Sequence, residues 1–274
     1  MKRIFTVAIV TSFLLPGALG LRAQPQSAQP AVTDADVASA FSASGSTAQR
    51  RLAIARATQL PPHTLSERSI KSIANELSQV VATEAASRAA YDRGQPLQPA
   101  QLDERAEGSD YKPELIQILA RQRHPAGIDA LADVVETGTM AQDALLEFGD
   151  QAVPALVRVA GMEDPYKNYY HHMAFALDVL EQMFDPNIRP TLSSTSRQAI
   201  QKLARERMAN SGDRWMLLAN AARLGIATGD RDLRKQATDL IGNNPEFVRR
   251  GIDAQHQLMT TQRVQNALEK FPER

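Results

Sequence analysis

Hydrophobic residues recur along most of the chain at spacings of three and four positions, which is the period of an amphipathic helix. One apolar stripe with this spacing follows residue 66 and consists of Ile70, Ile73, Ala74, Leu77 and Val81. No convincing stretch alternates apolar and polar residues as a half-buried strand would. The pattern therefore predicts an all-α protein.

From residue 113 onward the predicted helices come in antiparallel pairs, and residues 141–160, AQDALLEFGDQAVPALVRVA, illustrate the turn between two of them. Gly149 follows one apolar stripe, where a helix commonly ends in a left-handed conformation. Asp150 is a candidate N-cap for the next helix, and Pro154 falls in or beside its first turn, where a missing N–H is tolerated. Residues 224–241, LGIATGDRDLRKQATDLI, repeat this pattern.

Helix pairs at intervals of roughly 30 to 45 residues indicate an α-solenoid. Residues 141–160 resemble a HEAT repeat of the phycobilin-lyase-like type, and residues 224–241 are similar but lack the proline. The resemblance covers roughly residues 113–242 and implies a stack of HEAT-like antiparallel helix pairs. Lyases of that group attach bilins to cysteines of partner proteins, whereas no residue here matches a bilin site.

The chain divides into five predicted segments: 1–23 a signal peptide, 24–32 a flexible leader, 33–93 an N-terminal helical region, 94–112 a loop, and 113–271 a HEAT-like solenoid. The signal peptide is predicted because Lys2 and Arg3 precede an apolar run that is too short to span a bilayer. We expect an exported protein, periplasmic or extracellular after cleavage, with no membrane span in the mature chain.

The composition excludes several kinds of chemistry for this protein. The 274-residue chain has no net formal charge and no cysteine. The missing cysteine excludes disulfides, thiolate metal ligands and cysteine nucleophiles. The neutral charge balance lacks the basic signature of a nucleic-acid-binding protein. We predict no cofactor and no nucleic-acid partner.

The densest polar-aromatic stretch is YKNYYHH, residues 166–172. It supplies Tyr166, Tyr169, Tyr170 and His171 as candidate binding residues, because tyrosine combines a large contact area with a polar tip. Packing between repeats is the favoured interpretation of these rings. Adjacent histidines on a helix point about 100° apart, whereas a helical metal pair needs i, i+4 spacing, so no metal site is predicted.

Two alternatives to a binding scaffold remain open at this stage. One is a small-ligand or metal-binding protein that uses residues 166–172. The other is a hydrolase whose site is assembled across repeats. The sequence contains no Gly-x-Ser-x-Gly elbow and no Gly-rich phosphate loop, so no catalytic residue is assigned.

Charge is distributed unevenly along the predicted solenoid. Residues 126–164 contain eight acidic residues and one basic residue, whereas residues 185–251 contain twelve basic and seven acidic residues. Solvated surface is the favoured interpretation of such runs. The more specific hypothesis is a basic ladder on the second helices of successive repeats, which line the concave face of a solenoid. Its members are Arg197, Arg205, Arg231 and Lys235.

These observations together predict an exported, non-enzymatic scaffold or interaction module. Its expected ligand is a protein partner with an acidic surface, because the ladder offers positive charge.

The first testable prediction concerns the mature N-terminus. Small residues precede Leu21 and Gln24, and we expect cleavage before one of these two residues. N-terminal mass spectrometry of exported material checks this expectation. Recovery of the protein only in the cytoplasm, with the segment 1–20 retained, would contradict it.

Overall fold

The structure is a computed structural model that describes residues 33–41, 46–95, 99–163, 170–188, 191–242 and 245–273. The N-terminal helices are α1 (Asp34–Ala40), α2 (Thr47–Ala57), α3 (Glu67–Asp92), α4 (Pro99–Gln122), α5 (Ile128–Asp133), α6 (Thr139–Phe148) and α7 (Val153–Gly161). The remaining helices are α8 (Tyr170–Gln182), α9 (Ser194–Asn210), α10 (Trp215–Ala227), α11 (Arg231–Thr238), α12 (Pro245–Arg249) and α13 (Ala254–Lys270). Throughout these ranges there is no strand, and the predicted all-α class is confirmed.

The helices form two series of neighbours. In the first series α3, α5, α7, α9 and α11 contact one another in succession, and in the second series α4, α6, α8, α10 and α13 do so. Contacts between the series join α3 to α4, α5 to α6, α7 to α8, and α9 to α10. This order supports a stack of helix pairs; the α-solenoid of HEAT-like repeats stays a prediction. The described residues from 33 onward form one compact unit, and the division into an N-terminal helical region and a solenoid stays a prediction.

Helix α10 is buried on all sides in the C-terminal half. Its buried residues are Leu217, Leu218, Ala219, Asn220, Ala221, Ala222, Leu224, Gly225, Ile226 and Ala227. It contacts α8, α9, α11 and α13, which together cover it. Gly225 allows a close approach, because a Cβ atom there would lie 3.3 Å from the Cβ atom of Leu233. Each fully buried leucine contributes about 1.5–3 kcal/mol to folding.

The loop predicted at residues 94–112 is wrong from residue 99 onward, because α4 begins at Pro99 and continues through Pro113. Long-range contacts to α3 hold this helix. The Tyr111 hydroxyl donates a hydrogen bond to Glu76 Oε1 at 2.7 Å, and Lys112 Nζ lies 2.6 Å from Glu84 Oε2. Interior proline disfavours a helix locally, and these tertiary contacts outweigh that preference.

Gly149 has the predicted positive φ of 56°, but its ψ of −124° differs from that of the left-handed helical conformation predicted for the end of α6. These angles match the first central position of a type II′ turn, which glycine favours. Pro154 lies in the first turn of α7, as predicted. The predicted N-cap is wrong, because residues 149–152 form a 3₁₀ turn before α7 begins.

Asp150 instead connects this turn to the start of α9. Its Oδ1 atom accepts a hydrogen bond from the backbone N–H of Ser193 at 2.9 Å. Hydrogen bonds from Ser196 and Ser193 lower the pKa of Asp150. The carboxylate that the local pattern assigned to α7 therefore acts on a helix 43 residues further along the chain.

The second prediction tests the turn. Gly149→Ala should lower the free energy of unfolding by about 1–3 kcal/mol, the usual cost of a side chain in a sparsely populated backbone region. Gly161→Ala is the matched control, because its new Cβ would meet Leu203 Cδ1 at an ordinary 3.9 Å. Urea denaturation of both variants gives the comparison. Equal midpoints for Gly149→Ala and the parent would show that the turn does not require glycine.

Candidate binding surfaces of the C-terminal half

The structure describes only some of the aromatic candidates. Tyr166 and Tyr169 lie outside the described residues, and Tyr170 is the first residue of α8. His171 is exposed and His172 is half-buried on the same helix. A binding site at residues 166–172 therefore stays a prediction.

The four basic candidates lie on α9 and α11, which contact each other in the first series of helices. Both helices belong to the first series, and α10 contacts each of them. The prediction that they are the second helices of their pairs and line a concave face stays a prediction. The contact does bring the two basic helices together, as the ladder requires.

We define the α9/α11 face as the exposed charged residues of these two helices: Arg197, Lys202, Arg205, Glu206, Arg231, Asp232, Lys235 and Asp239. Five are basic and three are acidic, so the face carries excess positive charge. The opposite sides of both helices pack on α10 through Leu203, Ala204 and Leu233, which are buried. The charges are thus displayed on helices fixed by the core.

Several members of the face also have local contacts. Arg205 Nη2 lies 3.7 Å from Asp230 Oδ2, and Lys235 Nζ lies 3.1 Å from Asp239 Oδ2. The Arg197 guanidinium stands 5.5 Å from the ring centroid of Phe184. Exposed ion pairs contribute only about 0–1 kcal/mol, so a partner's carboxylates can replace the local ones at little cost.

A second charged cluster lies between α8, α10 and α13, and it is buried at its centre. Glu181 is 1% exposed and forms ion pairs with Arg223 and Lys270. Arg223 Nη1 also lies 3.1 Å from Asp178 Oδ1, and Lys270 Nζ lies 3.1 Å from Asp185 Oδ2. Burial raises the pKa of Glu181, while Arg223 and Lys270 act in the opposite direction.

The cluster continues along α13 toward its N-terminal end. The Oδ1 atom of the buried Asn220 accepts a hydrogen bond from Arg263 Nη1 at 3.1 Å. The Arg263 guanidinium lies 5.3 Å from the Trp215 ring centroid, and Trp215 stacks on His256 with 4.9 Å between centroids. Polar and aromatic side chains thus continue from the Glu181 ion pairs to the first turn of α13.

Sequence reasoning missed this cluster, although one signal was present. His256, Arg263 and Lys270 are spaced seven residues apart and therefore share one face of α13. Three basic side chains on a face that also carries buried apolar residues indicate polar or acidic partners on the neighbouring helices. Those partners, Glu181 on α8 and Asn220 on α10, cannot be identified from local periodicity.

The chemistry of the Glu181 cluster favours a structural role. Its charges pair with one another, and neither of the two described cavities is lined by its residues. In the described ranges no three histidine, aspartate and glutamate side chains converge as metal ligands. None of the described helices is long and apolar enough to cross a membrane.

Comparisons with family models, curated proteins and solved structures found no match for this chain. The resemblance to HEAT repeats therefore stays a prediction.

The third prediction concerns the Glu181 cluster. Arg223→Met should lower the free energy of unfolding at pH 7 by about 3 kcal/mol, because it removes one partner of a buried carboxylate. The double variant, Arg223→Met combined with Glu181→Gln, should lose less stability than Arg223→Met alone, because the buried carboxylate is removed together with its partner. Chemical denaturation of the parent and both variants measures the difference. Equal losses in the single and double variants would contradict a coupled pair.

The same variants carry a pH test. A carboxyl whose folded pKa is raised destabilises the folded state once it ionises, so stability falls as pH rises through that pKa. Arg223→Met should raise the pKa of Glu181 further. Its deficit relative to the parent should therefore shrink as pH falls toward the ordinary glutamate value of 4.5.

Proposed function

We propose that the protein is an exported, non-catalytic interaction module and that the α9/α11 face binds an acidic surface on a protein partner. Export is supported by the basic start of the chain and the apolar run that follows it. The observation that carries the docking proposal is the excess of basic residues exposed on two neighbouring helices that the core holds in place.

Charge elsewhere on the chain adds to this proposal. The segment 126–164 is acidic, and its Glu136 and Asp143 are exposed. An acidic partner is therefore attracted to the C-terminal half and repelled by the segment before it. Such polarity orients a partner during encounter and acts mainly on the association rate.

The proposal also predicts how the complex responds to salt. Exposed charges separated by more than about 10 Å are largely screened at about 0.1 M ionic strength. Association through the α9/α11 face should therefore weaken steeply between low and moderate salt.

The fourth prediction tests this face by charge reversal. Arg205→Glu combined with Lys235→Glu should abolish salt-sensitive capture of a partner from the exported fraction, because both changes replace attraction by repulsion. The matched control is Arg68→Glu combined with Lys71→Glu, two exposed residues on α3 that change the net charge equally. Quantitative mass spectrometry of the captured proteins provides the measurement.

We expect at least one protein to be captured by both the parent and the α3 control at low salt. The α9/α11 variant should fail to capture this protein, and the parent should lose it at high salt. Identical captured sets for the parent and the α9/α11 variant would contradict the proposal. Equal loss in both charge-reversed variants would also contradict it, because the effect would then come from net charge rather than from this face.

A further inference from the structure

A cleft of about 570 Å³ opens beside the C-terminal half of α9. Its walls are Gly161 and Glu163 at the end of α7, Glu206, Arg207 and Asn210 on α9, and Arg214 just before α10. Cavities of roughly 300–1,000 Å³ are typical of small-molecule sites in proteins. The cleft is therefore large enough for a ligand of several heavy atoms together with water.

Arg207 is the central residue of this cleft. Its side chain is half-buried, and its Nη2 atom donates a hydrogen bond to the Met162 carbonyl oxygen at 2.8 Å. A guanidinium has five N–H donors, so this contact leaves most of them available. In the described part of the chain Arg207 forms no ion pair.

Neighbouring groups act on the charge of Arg207 in both directions. Burial lowers the pKa of Arg207, and the positive charge of Arg214 lowers it further. Glu206 and Glu163 attract the guanidinium without forming an ion pair with it.

The acidic side chains restrict which ligands fit. Glu163 is exposed, and Glu206 is 56% exposed with its carboxylate 3.8 Å from Lys202 Nζ, so both are accessible. A simple anion is repelled by these two carboxylates, and a simple cation is repelled by the Arg207 guanidinium. A molecule with one charge of each sign is attracted by both.

We propose that this cleft binds a small zwitterion that carries a carboxylate and an ammonium group, either a free amino acid or a short peptide. Arg207 donates hydrogen bonds to both carboxylate oxygens, in the two-point geometry that guanidinium groups favour. Glu163 and Glu206 bind the ammonium group. The cleft shares Glu206 with the α9/α11 face, but its ligand is distinct from the protein partner proposed for that face.

Titration of the purified protein with charge-defined probes tests the proposal. The zwitterionic probes are L-alanine and L-alanyl-L-alanine, and they distinguish a free amino acid from a peptide as the ligand. The singly charged probes are N-acetyl-L-alanine, L-alaninamide and inorganic phosphate. At least one zwitterion should bind with a Kd of about 1 mM or tighter, and each singly charged probe should bind about tenfold more weakly.

Two substitutions connect that binding to the cleft. Arg207→Gln should weaken zwitterion binding about tenfold, the effect of losing a charge-assisted hydrogen bond. Arg56→Gln is the matched control, because it also replaces a half-buried arginine but lies on α2 and does not line the cleft. Glu163→Gln changes an exposed residue and should weaken L-alanine more than N-acetyl-L-alanine, even if Arg207→Gln fails to fold.

Four results would overturn the proposal. Phosphate binding as tightly as the zwitterions would indicate a plain anion site. Equal affinity for L-alanine and N-acetyl-L-alanine would remove the role of the ammonium group. Failure of every probe to bind, or unchanged zwitterion binding in both Arg207→Gln and Glu163→Gln, would show that the cleft is not a zwitterion site.

Discussion

Helix α10 must be covered on every side, and the C-terminal half of the molecule depends on this requirement. A helix that is hydrophobic all round is stable in water only when other elements bury it. Here α8 and α13 contact α10 from the second series of helices, and α9 and α11 contact it from the first. The alanines of α10 and Gly225 allow these neighbours to approach closely. The positions of α9 and α11, and hence of the α9/α11 face, follow from the burial of α10.

The polar residues of α10 impose a second constraint. A buried polar or charged group is costly unless it is paired, and α10 carries Asn220 and Arg223 toward α8 and α13. Glu181 and Arg263 provide the partners, so α8 and α13 are oriented by charge as well as by packing. By contrast, the Arg207 cleft lies beside the C-terminal half of α9 and contains charges of both signs that are accessible to solvent. The buried charges hold helices together, whereas the accessible charges of the cleft are those that we propose bind a ligand.

Periodicity predicted what depends on near neighbours in the chain. The all-α class, the positive φ at Gly149 and the buried positions Ile70, Ile73 and Leu77 follow from local spacing and turn chemistry, and the structure confirms them. Local spacing did not predict what depends on distant residues. The helix at residues 99–122 is held by contacts such as Tyr111 to Glu76, 35 positions apart, and Asp150 binds Ser193, 43 positions away. The basic candidates were identified from the charge pattern of the sequence. Their place in the first series of helices and their contacts with neighbouring residues depend on how α9 packs against α11, which local spacing does not predict.

The central claim is that α10 forms the interior of a stably packed core, and that this core positions both the α9/α11 face and the Arg207 cleft. Native-state hydrogen exchange of the purified protein tests this claim most directly, because amides in the most stable core open only with global unfolding. The account predicts that amides of α10 exchange most slowly and that those of α8 and α13 facing it are nearly as protected. Exchange in α10 as fast as in the short peripheral helices α1 and α12 would contradict the claim.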